Sequence, residues 1–223
     1  MQRYFITGTD TDCGKTYVTC ALLQYFYKQR KNALALKPVA SGCDCNLQNA
    51  DLTQLSYYNN LFKENIDHNY IINRWQFAPP ISPHLAAKAA GVTVPSTDLA
   101  AWCLDYQFSG DYLLIEGAGG LLVPLNDEET WLDFLQLTKI PAILVVGMRL
   151  GCLNHALLTD LVLKSHRVNY IGWIANIIDQ EMLMLLENMQ TLRKKMCAPL
   201  LATIPYQGLE NPRFYIKNDF PPL

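Results

Sequence analysis

Five residues separate Gly8 from Gly14 in the run Gly8-Thr9-Asp10-Thr11-Asp12-Cys13-Gly14-Lys15-Thr16. Glycine, lysine and hydroxyl residues at this spacing suit the binding of a polyphosphate. Glycines let backbone N–H groups close on an anion, and a helix starting just beyond them turns its positive end toward the same charge. Lys15 would place a point charge at the β- and γ-phosphates, and the Thr16 hydroxyl would ligate Mg²⁺. The usual signature has one residue fewer between its glycines, so the longer loop marks a subgroup. A Gly-Lys-Thr tripeptide also occurs in turns that only cap a helix. The strand-like Tyr4-Phe5-Ile6-Thr7 before the loop and the helix-like run after it favour the phosphate site.

Other charged groups could join that chemistry. Glu116 ends the apolar run Tyr112-Leu113-Leu114-Ile115 and precedes Gly117-Ala118-Gly119-Gly120. A carboxylate at the end of a buried strand is costly unless paired. Mg²⁺ on a triphosphate needs only one or two carboxylates beside the loop hydroxyl, so Glu116 reads as a metal ligand rather than a turn-capping acid. Asp51 taken alone suits a helix cap, and Asp12 a solvated turn. Lys37 ends Ala33-Leu34-Ala35-Leu36 just before Pro38, where its ammonium would enter a crevice shared with Lys15. A surface lysine closing a strand fits those residues equally well. His84 and His155 have no companion carboxylate at recognisable spacing and read as ordinary polar groups.

These groups need a frame. From Thr16 the spacing of Tyr17, Val18, Ala21, Leu22, Tyr25 and Phe26 predicts a helix with one buried face, closed by Lys28-Gln29-Arg30-Lys31. Short apolar runs at Ala33–Leu36, Tyr112–Ile115, Ala142–Gly147, Tyr170–Ile178 and Leu200–Ile204 have the length and composition of buried parallel strands. Helices fit between them at Trp131–Leu137, Asn154–Lys164 and Glu181–Lys195, while Cys43–Gln107 is less regular. The alternation predicts an α/β fold, a doubly wound, mostly parallel sheet of the P-loop nucleotide triphosphatase type, in a single domain over residues 1–223. Ligands of such sheets bind beyond the carboxyl ends of the strands, where Lys15, the Val39-Ala40-Ser41-Gly42 loop and Glu116 all fall.

Composition narrows the ligand. A chain of 223 residues, half of them hydrophobic, can bury a full core, and its net charge of −2 offers no general attraction to nucleic acid or anionic lipid. A small ligand is expected, with no nucleic-acid or membrane partner. Seven cysteines without a repeating frame suggest reduced thiols and a cytoplasmic setting. Cys43 and Cys45 lack the second pair that a zinc site needs. No basic leader with an apolar core opens the chain, so a soluble, untargeted protein is expected.

Taken together, the phosphate loop, Lys37-Pro38-Val39-Ala40-Ser41-Gly42, Glu116-Gly117-Ala118-Gly119-Gly120 and Val146-Gly147-Met148-Arg149-Leu150-Gly151-Cys152-Leu153-Asn154-His155 resemble the dethiobiotin synthetase family. The resemblance runs from the first strand to Ala198-Pro199-Leu200-Leu201 and Ile204-Pro205. It implies a homodimer that uses ATP, Mg²⁺ and CO₂ or bicarbonate to close the ureido ring of dethiobiotin from 7,8-diaminononanoate. It further implies that Asp12, Cys13, Gly14, Lys15, Thr16 and Tyr17 hold phosphates, with Thr16, Asp51 and Glu116 on the metal. Lys37 and Lys15 would be catalytic, and Gly117, Ala118 and Gly119 would follow the metal ligand along the nucleotide. Asn176 and Ile177 would meet adenine, with Pro205, Tyr206 and Gln207 closing that pocket. Ser41 would touch the diamine, and the Gly151-Cys152-Leu153-Asn154 turn would hold its carboxylate across the dimer interface. Asp12 stands where the family more often has glutamate, which shortens the reach of that carboxylate.

Two rivals use a related sheet. A switch ATPase of the chromosome- or septum-positioning type would exploit the Met/Leu face and basic Arg193-Lys194-Lys195 end of the Glu181–Met196 segment at a membrane surface. Against it, the strand-like Leu200–Ile204 follows, and the phosphate loop lacks an extra lysine near its start. A glutamine-dependent amide ligase would be expected to carry an amidotransferase domain as well.

Overall fold

The computed structural model describes residues 1–44, 48–60, 70–209 and 212–215. In chain order the elements are β1 (Gln2–Gly8), α1 (Lys15–Lys28), β2 (Ala33–Leu36), β3 (Val39–Ser41), α2 (Ala50–Asn59), β4 (Trp75–Phe77), α3 (Pro83–Ala89) and α4 (Ser96–Leu104). They continue with β5 (Tyr112–Glu116), α5 (Trp131–Thr138), β6 (Ala142–Met148), α6 (Cys152–Ser165), β7 (Tyr170–Ile177), α7 (Leu185–Lys195), β8 (Leu200–Ile204) and β9 (Arg213–Phe214). Among the described residues the main sheet has seven strands in the order β2-β5-β1-β6-β7-β8-β9, and every pairing is parallel except β8 with β9.

Helices cover both faces of this sheet, so its inner strands have no wet side, and β5 and β6 are buried along their whole length. Neighbours on β1 split between two core layers. Phe5 packs on Trp131 and Phe134 of α5 with ring centroids 5.3 Å apart in both cases, whereas Tyr4 and Ile6 face α1. In that second layer Phe26 stacks on Tyr112 at 4.1 Å. The indole N–H of Trp131 donates to the Ala118 carbonyl at 3.0 Å, which ties α5 to the loop after β5. Strand order reverses around β1, between β5 and β6, and the crevice at that switch point lies at the carboxyl end of β1.

Several local expectations change. Val39–Ser41, read as a loop, is strand β3, paired in parallel with β4 in a separate two-stranded sheet. Pro38 cannot continue the β2 ladder, and its carbonyl instead accepts from the N–H groups of Arg74 and Trp75, which turns the chain into the new pairing. Among the described residues the less regular stretch resolves into the short helices α2, α3 and α4. Helix α6 begins at Cys152 rather than Asn154, behind Gly151 at φ 92°. Helix α7 begins at Leu185 rather than Glu181, because Met184 is left-handed at φ 53°. β9 adds an antiparallel edge that the apolar pattern did not disclose. The described cysteines Cys13, Cys20, Cys43, Cys103, Cys152 and Cys197 are free thiols, and Cys45 lies outside the described residues. Among the described residues no helix is long and apolar enough to cross a membrane.

Candidate active site

β1 delivers the phosphate loop and α1 carries it away. Gly14 precedes α1 at φ 86° and ψ 35°, a left-handed conformation that glycine adopts without penalty. A Cβ there would stand 2.0 Å from Asn176 Nδ2, so the space is closed to any side chain. Asn176, buried at the end of β7, uses it to donate to the Cys13 carbonyl at 3.0 Å, which supports the loop from beneath. Asp12 is also left-handed, at φ 58°, in the middle of the turn. The first N–H groups of α1 have no partner within the helix, and its first turn holds no acid to compete for them. Lys15 Nζ rests on the Asp10 carbonyl at 3.0 Å, with the Cys13 thiol 3.9 Å away.

Glu116 sits beside this loop because its strand pairs with β1, Ile6 opposite Glu116, and Gly117 N donates to the Ile6 carbonyl at 3.0 Å. Its carboxylate has no exposed surface, yet it is well partnered. Oε1 meets the Thr16 hydroxyl at 2.6 Å and the Lys37 ammonium at 3.0 Å, and Oε2 meets the Thr19 hydroxyl at 2.8 Å. Lys37, 5% exposed, also forms an ion pair with Asp51 from the first turn of α2. Lys37 is held from behind, since Asn73 Nδ2 donates to its carbonyl at 2.7 Å and its own N–H donates to Ile72. Asp51 is free to reach Lys37 because Asn49 is the cap of α2, accepting from the Asp51 and Leu52 N–H groups.

Burial alone would lower the Lys37 value, but Glu116 and Asp51 together outweigh it and hold the ammonium above its ordinary 10.5. Burial alone would raise Asp51, and Lys37, helped by Thr16 and Lys15, overrides it and holds the acid below its ordinary 3.8. The two shifts bound a pH window. A raised lysine stabilises the fold fully below its ordinary value and loses that effect as pH climbs through the folded value. A lowered aspartate stabilises above its ordinary value and loses the effect as pH falls through the folded one. Asp51→Asn should therefore flatten the acid side: below about pH 4 its melting temperature should fall less steeply than that of the parent protein. Parallel melting curves would assign the acid sensitivity to other groups.

A cleft of about 890 Å³ opens over these groups, lined among others by Asp12, Gly14, Lys15, Thr16, Tyr17, Lys37, Ser41, Asp51, Ala118 and Gly119. That volume falls in the range of small-molecule and cofactor sites. Among the described residues no three His, Cys, Asp or Glu side chains cluster as a metal cage. Two carboxylates and a hydroxyl are instead a donor set for Mg²⁺, which keeps most of its waters. The ammonium of Lys37 marks the place between Asp51 and Glu116 as one that takes positive charge.

Other residues singled out in the sequence fall elsewhere. Asn176 and Ile177 end β7, with Asn176 behind the loop, and Pro205, Tyr206 and Gln207 follow β8; none of them lines the cleft. Gly151, Cys152, Leu153 and Asn154 form the start of α6, also outside it. Thr19 joins the site as well, and its only sequence signal is its place one helical turn from Thr16 and so on the same face. Its hydroxyl also meets the Lys15 carbonyl at 2.9 Å. Thr19→Val keeps the shape and removes one contact to Glu116, so about 1 kcal/mol of stability and a several-fold loss of turnover are expected. Chemical denaturation and steady-state kinetics would check both, and unchanged kinetics would leave Thr19 with a packing role alone.

Comparison with known proteins adds a second line of information. A family described as an AAA domain matches residues 2–213. The ATP-dependent dethiobiotin synthetase BioD of Legionella pneumophila (strain Paris) is 51% identical over 212 residues, 93% of this chain and 95% of that protein. The BioD of Pseudoalteromonas translucida is 43% identical, covering 92% of this chain and 91% of that protein. Among solved structures, the cell division protein FtsY of Thermotoga maritima aligns with a TM-score of 0.59 at 17% identity, over 96% of this chain and 65% of that one. The septum site-determining protein MinD of Pyrococcus horikoshii aligns with 0.55 at 20% identity, over 92% and 81%. At such identities the two structures speak for the sheet and its helices only.

Proposed function

The chain belongs to the ATP-dependent dethiobiotin synthetases, ligases that form C–N bonds in biotin biosynthesis, and from that premise we propose how its residues close the ring. The substrates are 7,8-diaminononanoate, CO₂ and ATP. One amine takes up CO₂ as a carbamate, whose oxygen attacks the γ-phosphorus and displaces ADP. The resulting carbamic-phosphoric anhydride is an activated acyl group. The neighbouring amine attacks its carbonyl carbon, phosphate departs with the C–O bonding pair, and the ureido ring is complete.

The observation that carries this reading is the meeting of Lys37 with Asp51 on the cleft wall and with the buried Glu116 behind it, beside Thr16. No protein nucleophile is required, so the residues act by position and charge. Lys15 and the N–H groups opening α1 hold the β- and γ-phosphates, and Asp12, Cys13, Gly14 and Tyr17 shape that cradle. Lys37 neutralises charge on the carbamate and on the phosphoryl group in transfer. Thr16, Asp51 and Glu116 would hold Mg²⁺, which supplies charge neutralisation on the phosphates. Ser41, on the cleft wall, orients the diamine. Asn176 and Ile177, with Pro205, Tyr206 and Gln207, meet adenine, and Gly117, Ala118 and Gly119 border the nucleotide. The turn at residues 151–154 takes the diamine carboxylate in a homodimer. Leu150 is 92% exposed there, and Leu158 and Leu161 continue an uncovered apolar row along α6, which suits a second copy of the chain.

The membrane-surface alternative loses its main support, since α7 buries Met189 and Leu192 in the core beneath α6. Purified protein should release ADP from ATP only when both 7,8-diaminononanoate and bicarbonate are supplied. ADP release at the same rate without the diamine would reject the assignment.

A further inference from the structure

Asp10 is an acid inside a loop whose work is to bind an anion, so its charge must be masked if the loop is to accept phosphate. Its side chain is 23% exposed and forms an ion pair with Arg149, while His155 Nδ1 lies 3.8 Å from the same oxygen. Its other oxygen accepts from the Thr9 hydroxyl at 3.1 Å. Its backbone carbonyl is the acceptor that holds the Lys15 ammonium at 3.0 Å. The carboxylate and the lysine that must meet phosphate therefore share one residue as their anchor.

Arg149 is supplied from the neighbouring strand. β6 pairs with β1 up to Gly8 opposite Val145, so the residues just beyond β6 emerge beside the start of the phosphate loop. Cys152 N donates to the Arg149 carbonyl at 3.0 Å, and Gly151, left-handed at φ 92°, turns the chain into α6. That turn brings His155 back toward the carboxylate already held by Arg149. A surface pair of this exposure adds little to stability. Its effect on a bound anion is another matter, because an uncompensated carboxylate repels phosphate and offers Lys15 a stronger acceptor than a carbonyl.

We infer that Arg149 is a positioning residue of the nucleotide site: by occupying the Asp10 carboxylate it keeps Lys15 available and the loop receptive to phosphate. This rests on the nucleotide-binding role assigned to the loop above.

Calorimetric titration of Mg-ADP and of a non-hydrolysable ATP analogue tests it on the full chain, with Arg149→Met, Arg149→Lys, Asp10→Asn and the double variant D10N/R149M. Arg149→Met should weaken nucleotide binding about tenfold and raise KM for ATP, with kcat at saturation largely kept. Arg149→Lys should recover most of the loss. Asp10→Asn in the R149M background should restore binding, since the charge to be masked is gone, and the R149M defect should shrink as salt is added. The replaced side chains are partly exposed, so equal melting temperatures are expected throughout. Nucleotide binding by R149M within about twofold of the parent, or a double variant as weak as R149M, would overturn the inference. A parent protein that binds no nucleotide would remove the proposed function, and this inference with it.

Discussion

Lys37→Met should bind ATP nearly as well as the parent protein and turn it over about a thousandfold more slowly or worse. The contact it loses is made to charge that develops during phosphoryl transfer, and such contacts act on kcat rather than on ground-state affinity. Binding by calorimetry and single-turnover ADP release separate the two quantities, and a retained kcat would take Lys37 out of the mechanism. The structure adds a second expectation. Lys37 is the cation that balances Glu116, which has no exposed surface, and Asp51, whose side chain is 44% exposed. Removing one partner of a buried pair costs about 3 kcal/mol, and solvent around Asp51 trims that figure. The variant should therefore melt lower than the parent, and added Mg²⁺ should raise its melting temperature more than it raises the parent's. Equal responses to Mg²⁺ would mean that the two acids do not form a metal site.

Glu116→Gln is expected to lower kcat about a hundredfold and to shift the Mg²⁺ dependence to at least about tenfold higher concentration, since it removes one of two carboxylates from a site with few protein ligands. Glutamine fills the same volume, but its amide is half donor. Three groups converge on the native carboxylate, the Thr16 and Thr19 hydroxyls and the Lys37 ammonium, and an NH₂ group cannot accept from them. The Lys37 ammonium would also lose the only one of its two counter-charges that is fully buried. A magnesium titration of ADP release at saturating ATP is the deciding measurement. An unchanged midpoint would show that Glu116 holds Lys37 and α1 in place without touching metal.

How far the sequence could be read followed from the range of each interaction. The strand, glycine loop and helix around Lys15 were legible because they are contiguous. Glu116 was legible because a carboxylate that ends an apolar strand is costly unless a cation or a metal meets it. Lys37 could not be decided between surface and site. Its partners lie 14 and 79 positions away, and no local pattern encodes their arrival. Asp51 looked like a helix cap, but Asn49 takes that role and releases it to the cleft. The β3–β4 pairing escaped notice because two strands of three residues, far apart in the chain, carry too little alternation to register. Thr19 and Asn73 escaped for a different reason. Hydroxyl and amide side chains are common, and only their hydrogen bonds to Glu116 and to the Lys37 carbonyl distinguish them.

Asn176 reaches through the gap left by the absent side chain of Gly14 and grips the Cys13 carbonyl. The residue proposed to meet the purine is thus also a strut under the triphosphate's seat. Altering base preference and keeping phosphate affinity are consequently not separable goals at this position: a replacement chosen for guanine would slacken the loop at the same stroke. Retuning toward another purine would fall to Pro205 and Gln207, proposed above to close the same pocket, leaving the strut untouched.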